Sequence, residues 1–179
     1  SWTVSQWIYK DEKRTQYLFN TSWSGDKNQN TMGIRIGADN GLLVWARDKD
    51  GTETGTTSGA GTISDDTWQQ IAVTYDGDAT VTFYIDGTAV RTSTWSPGIV
   101  NSTDINIGVQ RRGRAVYEHY FLGYIDETAV WNKVLSASEI TAIYNSGTAL
   151  DARTNSGNYA SSDNLVTYWK MEDGSGTTL

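Results

Sequence analysis

The sequence predicts an all-β chain of about ten short antiparallel strands, a sandwich or a barrel, with one short helix toward the C-terminal end. Three observations carry this. Apolar and polar residues alternate through many short segments, the two-residue period of a strand. Asp76-Gly77 and Asp86-Gly87 stand between such segments, and Asp-Gly is a strong short-range hairpin signal. The composition agrees: 8 Trp, 10 Tyr, 18 Gly and a single Pro among 179 residues supply side chains that fill a pleated surface and residues that turn between strands.

In order along the chain, Ser1–Lys10 sends Trp2, Val4, Gln6 and Ile8 to one face and Thr3, Ser5, Trp7 and Tyr9 to the other. Charged Asp11–Arg14 turns the chain into a second strand, Tyr17–Asn20, and Gly25–Asn30 is a polar loop. Met32–Ile36 and Leu42–Arg47 form a hairpin around Ala38-Asp39-Asn40-Gly41. The Gly/Thr-rich stretch Asp48–Gly61 has room for one weak strand. Trp68–Tyr75, Thr80–Ile85 and Thr88–Ser93 then make a three-strand meander on the two Asp-Gly turns. Ile105–Val109 and Tyr120–Tyr124 follow as strands on either side of the basic segment Arg111–Arg114, and Asp126–Trp131 comes next. Ser136-Ala137-Ser138-Glu139 is a capping box, with Leu135 and Ile140 placed as a hydrophobic staple. Ile140, Ile143 and Tyr144 form that helix's apolar stripe, and Gly147 ends it near Asn145. Polar Thr148–Asn164 reads as a connection, and Leu165–Met171 as a last strand.

The bulk numbers exclude several function classes. A net charge of −7 and a pI near 4.6 repel phosphate backbones, so no nucleic-acid partner is expected. With no cysteine there is no disulfide framework, thiol nucleophile or cysteine zinc site. One histidine, His119, rules out a multi-histidine metal site within the chain. No run approaches the ~18 apolar residues of a membrane helix, so no membrane insertion is expected.

Two groups of residues resemble a known family. One is Trp68-Gln69-Gln70-Ile71-Ala72-Val73-Thr74-Tyr75-Asp76-Gly77 followed by Val81-Thr82-Phe83-Tyr84-Ile85-Asp86-Gly87. The other is Phe121-Leu122-Gly123-Tyr124-Ile125-Asp126-Glu127 running through Val130-Trp131 to the Ser136 capping box. In order and spacing they resemble laminin-G-like/concanavalin-like domains of bacterial and viral surface proteins. The resemblance implies an antiparallel two-sheet jelly-roll sandwich with one short helix near its C-terminal part. It covers residues 1–147, without the strands that usually open the family. Residues 148–164 are then a polar connection. Residues 165–179, through Tyr168–Thr178, resemble the family's missing first strand. That strand either closes this domain, opens a following module, or pairs with a neighbouring chain. In each case the chain reads as a slice of a longer modular protein.

For chemistry, a glycoside hydrolase of this architecture needs two carboxylates across the sugar. Asp126 and Glu127 are adjacent, and strand alternation aims them at opposite faces. His119 has no nucleophile elbow nearby, and Gly55–Gly61 leads into no phosphate-binding helix. No enzyme is expected. Calcium, which wants six to eight oxygens, is implied by the resemblance as a structural ion, with Asp126 and Asp173 as its candidate ligands. Asp76 and Asp78 are weaker candidates, better read as turn residues. Sugar sites set flat aromatic faces against pyranose C–H faces and use amides, carboxylates and Arg for hydroxyls. Trp23, Trp45, Trp95 and Tyr117 fall in or near loops or strand ends and are the candidate stacking residues. Trp7, Trp68 and Trp131 lie in regular strand positions and are assigned to packing. Arg111, Arg112 and Arg114 concentrate positive charge suited to an acidic group on a glycan. The expected function is a non-catalytic carbohydrate-binding or adhesion module of a larger extracellular, cell-surface or virion-surface protein, with a glycan or polysaccharide as partner. The alternative is a structural module of a fibre or decoration protein, engaging neighbouring modules or chains through edge strands.

Overall fold

The computed structural model describes residues 1–22, 31–48, 50–97, 104–112 and 116–172. In chain order the strands are β1 (Trp2–Lys10), β2 (Gln16–Ser22), β3 (Thr31–Ile36), β4 (Leu42–Arg47) and β5 (Glu53–Thr57). Next come β6 (Trp68–Tyr75), β7 (Thr80–Ile85), β8 (Thr88–Thr94), β9 (Asp104–Ile107), β10 (Gln110–Arg112) and β11 (Val116–Glu118). Then β12 (Gly123–Trp131), the helix α1 (Ala137–Tyr144) and β13 (Leu165–Trp169) complete the chain. They form two large antiparallel sheets and one small hairpin, and the chain divides into two units.

The first unit takes residues 1–9, 66–92 and 124 onward, and its six-stranded sheet has the order β13-β12-β1-β6-β7-β8. Its turns form where their local chemistry requires. The Asp76 carboxylate accepts N–H bonds from Asp78, Ala79 and Thr80 at 2.9–3.0 Å. Hydrogen bonding by Thr80 and Asp78 holds its pKa down to about 2, so this acid belongs to its turn. Asp86 and Gly87 both have positive φ, 49° and 73°, as a two-residue hairpin turn of the primed type demands. Gly87 is needed for a second reason: a Cβ there would sit 3.0 Å from the Tyr144 ring of α1. The helix is docked to this turn by the Thr141 hydroxyl, which donates to the Gly87 carbonyl at 2.9 Å.

The helix begins at the Ser136 N-cap with both halves of the capping box formed, and ends on Asn145 in the left-handed conformation. Ile140 and Ile143 bury against Ala72, Tyr84, Ala129, Trp131, Leu135 and Tyr159. Trp7 stacks on Tyr144 at 5.7 Å. The connection after α1 is tied in by polar bonds from buried side chains: Trp131 Nε1 donates to the Tyr159 hydroxyl (2.9 Å), which donates to the Ala152 carbonyl (2.7 Å). Leu165–Trp169 pairs along β12 of the same chain, Thr128 opposite Trp169.

The second unit takes residues 10–65 and 93–123, with the order β5-β4-β3-β2-β9 and the separate β10–β11 hairpin. Leu18, Phe19, Ile34, Ile36, Leu42, Val44, Ala46 and Ile63 are buried. So is Lys10. Its ammonium donates to the Asp65 carboxylate and to the Glu12 carbonyl (3.0 Å), and Asn40 Nδ2 also reaches Asp65, at 3.3 Å. The Lys10 hydrogen bond lowers the Asp65 pKa.

Two expectations fail here. Tyr120–Leu122 is not strand, although its residues alternate. Its backbone bonds go elsewhere: Leu122 N–H to the Gln16 amide oxygen (2.6 Å), Leu122 C=O to Asp11 N–H (3.1 Å) and Phe121 N–H to the Gly108 C=O (2.7 Å). The basic segment, expected only to separate two strands, contributes to β10 and begins the β10–β11 hairpin. Gln110 opposes Glu118 and Arg111 opposes Tyr117.

Candidate functional site

The residues named from the sequence divide three ways. Trp23, Arg114 and Asp173 lie outside the described residues, and of Arg112 only the backbone, in β10, is described. Arg111 and Tyr117 are brought together across the hairpin, with the guanidinium 5.9 Å from the ring centroid. Tyr117 is 46% exposed. The Arg111 charge is already engaged, since its Nη1 donates to Asp104 at 2.7 Å.

Trp45 and Trp95 correct the expectation of loop aromatics offered to a ligand. They are 7% and 4% exposed. In the ladder Trp45 lies opposite Gly33 on one side and Gly55 on the other. A Cβ on Gly33 would come within 2.6 Å of the indole nitrogen, so the missing side chain makes room for the indole against the sheet. Tyr17 meets it edge-on at 6.0 Å. Arg35 covers Tyr17, its Nη1 donating to the hydroxyl at 3.0 Å.

Trp68 departs from its assigned packing role in the opposite sense. It is 44% exposed, and with Tyr124 (64% exposed) and half-buried Tyr9 it forms an aromatic platform on the first unit. These three come from β6, β12 and β1, with β1 between the other two. Ring centroids are 6.0 Å apart for Tyr9–Trp68, 5.9 Å for Tyr9–Tyr124 and 6.3 Å for Trp68–Tyr124. The Trp68 and Tyr124 planes differ by 35°, while Tyr9 packs at a steep angle to both. Registry puts Tyr9 opposite Trp68 and, two residues along, Trp7 opposite Gln70. One face of the sheet therefore carries the platform and, roughly 7 Å further along the strands, a small notch. Ser5, Trp7, Gln70, Glu127 and Tyr168 line that notch together with apolar core residues such as Trp131 and Ile143, and it is about large enough for one water.

Glu127 lines the notch with Ala129 and Trp131, the spacing of alternate residues along β12, while Asp126 does not line it. The Glu127 φ is 49°, a local break in the extended backbone of β12. Burial pushes the Glu127 pKa up, opposed by the hydrogen bond it accepts from the Tyr168 hydroxyl. Burial also raises Asp126, whose carboxylate accepts the Glu127 N–H at 2.8 Å. Of the expected calcium ligands only Asp126 is described, and among the described residues no group of three acidic or histidine side chains gathers to hold a metal.

The platform left a faint trace in the sequence. Tyr9 and Trp68 sit at opposite ends of their strands, which antiparallel pairing brings together, and they lie on the face of Thr3, Ser5, Trp7 and Gln70 rather than that of Val4 and Ile8.

The family model described as the concanavalin A-like lectin/glucanases superfamily matches residues 1–141. No curated protein matches the chain. Several solved structures do. The carbohydrate-binding module CBM40 of a Ruminococcus gnavus IT-sialidase, solved with α2,3-sialyllactose, aligns at 15% identity and TM-score 0.68, covering 80% of this chain and 82% of that one. Domain 4 of a GH43 extracellular arabinanase from Geobacillus stearothermophilus, in complex with arabinotriose, aligns at 19% and 0.62, covering 80% and 66%. A heptameric SAP-like pentraxin from Limulus polyphemus aligns at 18% and 0.62, covering 80% and 69%. At these identities the likeness is one of fold: all-β, an antiparallel two-sheet jelly roll with one short helix.

Proposed function

Because the chain belongs to the concanavalin A-like lectin/glucanases superfamily, we propose that it is a non-catalytic carbohydrate-binding module whose ligand stacks on Trp68 and Tyr124. The observation that carries this is the exposed platform itself. Aromatic side chains of this size are usually buried, and an exposed Trp–Tyr pair near the part-buried Glu127 carboxylate offers a pyranose a stacking face and a hydroxyl acceptor. Two neighbours of the same fold were solved with saccharides in place, which is in keeping with the reading. Glu127 and Asp126 are tied to Tyr168 and to a backbone N–H, and no catalytic role is assigned to them. The proposal places the module outside the cytoplasm, on a larger cell-surface or virion protein.

The test is a glycan array probed with the wild-type protein and with Trp68→Ala and Tyr124→Ala, each checked for an unchanged melting temperature. Binding lost in both variants supports the proposal. Binding that survives both, or a blank array with folded protein, refutes it. A blank array favours the assembly reading, in which β8 and β13, the outermost strands of their sheet among the described residues, meet neighbouring modules.

A further inference from the structure

The charges around the notch point to the class of sugar. The groups that act on Glu127 and Asp126 include Asp151, Glu172, Lys170 and Arg153, together with the Tyr168 hydroxyl. Arg153 lies over the Tyr168 ring at 5.6 Å. Both of these cations are already paired. Arg153 donates twice to Asp151, at 2.9 Å from Nε and 2.5 Å from Nη2. Lys170 sits 2.5 Å from Glu172. Asp151 and Glu172 are balanced in this way, while Asp126 and Glu127 have no ion-pair partner among the described residues. Glu127 Oε2 receives the Tyr168 hydroxyl, and Oε1 accepts no hydrogen bond among the described residues.

Resting on the reading above, we propose that the Trp68–Tyr124 platform selects non-acidic saccharides, with Glu127 as the acceptor for a sugar hydroxyl and the unpaired Asp126–Glu127 charge excluding uronates, sialic acids and sulfated sugars. An ionised carboxylate accepts a hydroxyl strongly, through a charge-assisted bond, and repels a second carboxylate placed beside it. With two unpaired charges within several ångströms in a partly screened setting, the discrimination is about 5- to 10-fold at low ionic strength and shrinks as salt is added.

Glu127→Gln keeps the shape and the Tyr168 contact and removes the charge. The experiment is the array repeated at low and high salt with wild type, Glu127→Gln and Trp68→Ala, using neutral probes (cello-, manno- and chito-oligosaccharides) and acidic ones (oligogalacturonates, sialyllactose). The expected result is that signals lost in Trp68→Ala are on neutral probes, and that Glu127→Gln weakens them and admits acidic ones. Trp68-dependent binding concentrated on acidic probes overturns this inference while leaving carbohydrate binding intact. An unchanged probe preference in Glu127→Gln overturns it as well. Loss of all Trp68-dependent signal from the wild-type profile removes the platform reading and the inference with it.

Discussion

Glu139 offers the sharpest single test of how the first unit is held. Its carboxylate is 5% exposed and serves two structures at once. Oε2 accepts the Ser136 N–H and hydroxyl, both at 2.9 Å, closing the capping box. Oε1 accepts from the Ser161 hydroxyl and from Lys133 Nζ (3.3 Å), fastening the long connection after the helix. Burial alone would raise its pKa. The bonds from Ser161 and Ser136, with the Lys133 charge, overcome that and bring it down from 4.5 to about 2. A carboxylate depressed in the folded state stabilises fully above its unfolded pKa, and that contribution is lost as pH falls from about 4.5 through about 2. The shift corresponds to about 3 kcal/mol at neutral pH, comparable to losing one or two charge-assisted hydrogen bonds. Glu139→Gln should therefore lower the melting temperature by roughly 5–10 °C at neutral pH. By about pH 3 the gap to wild type should have narrowed by more than a third. Calorimetry of both proteins across that range reads it directly. A neutral-pH difference below about 2 °C, or a gap that stays constant with pH, would refute the assignment.

Other perturbations follow from the same structure. Asp65→Asn leaves the buried Lys10 ammonium without its counter-charge and should destabilise by about 2–3 kcal/mol, discounted for the partial exposure of Asp65. Lys10→Met, which strands only the better-solvated partner, should cost less, and urea denaturation ranks the two. Gly33→Ala forces the Trp45 indole off the sheet and should cost about 1–3 kcal/mol, with a displaced Trp45 indole resonance in NMR spectra. Binding through the Trp68 platform should be unchanged by EDTA; loss on chelation would make a calcium ion part of recognition.

What was legible in the sequence was what neighbouring residues decide. The Asp76-Gly77 and Asp86-Gly87 turns and the Ser136–Glu139 box are closed by atoms a few residues apart, so their spacing shows in the chain. Tyr120–Leu122 alternates as a strand does, but Gln16, Asp11 and Gly108 take its backbone bonds, and nothing local announces that. Trp45 is buried because Gly33 and Gly55, on two other strands, face it in register. Trp68 is exposed because its strand end meets Tyr9 and Tyr124, not a helix. Composition marked Trp and Tyr as the residues to watch, but only the register could show which of them reach solvent.

The strand that opens the described chain is also the middle of its sheet: β1 lies between β12 and β6, with Trp2 opposite Tyr75. During synthesis its first partner emerges only after Tyr75, and its second only after Trp131. Until then Val4 and Ile8 have no ladder to join, and such distant pairing folds slowly. From the synthesis of Lys10 to that of Tyr75 the nascent chain thus carries an unpaired apolar segment. Peptides spanning Trp2–Lys10 should compete for the vacant slot before β12 arrives, and a partner fused ahead of Trp2 would be anchored at the centre of the sheet rather than at its rim.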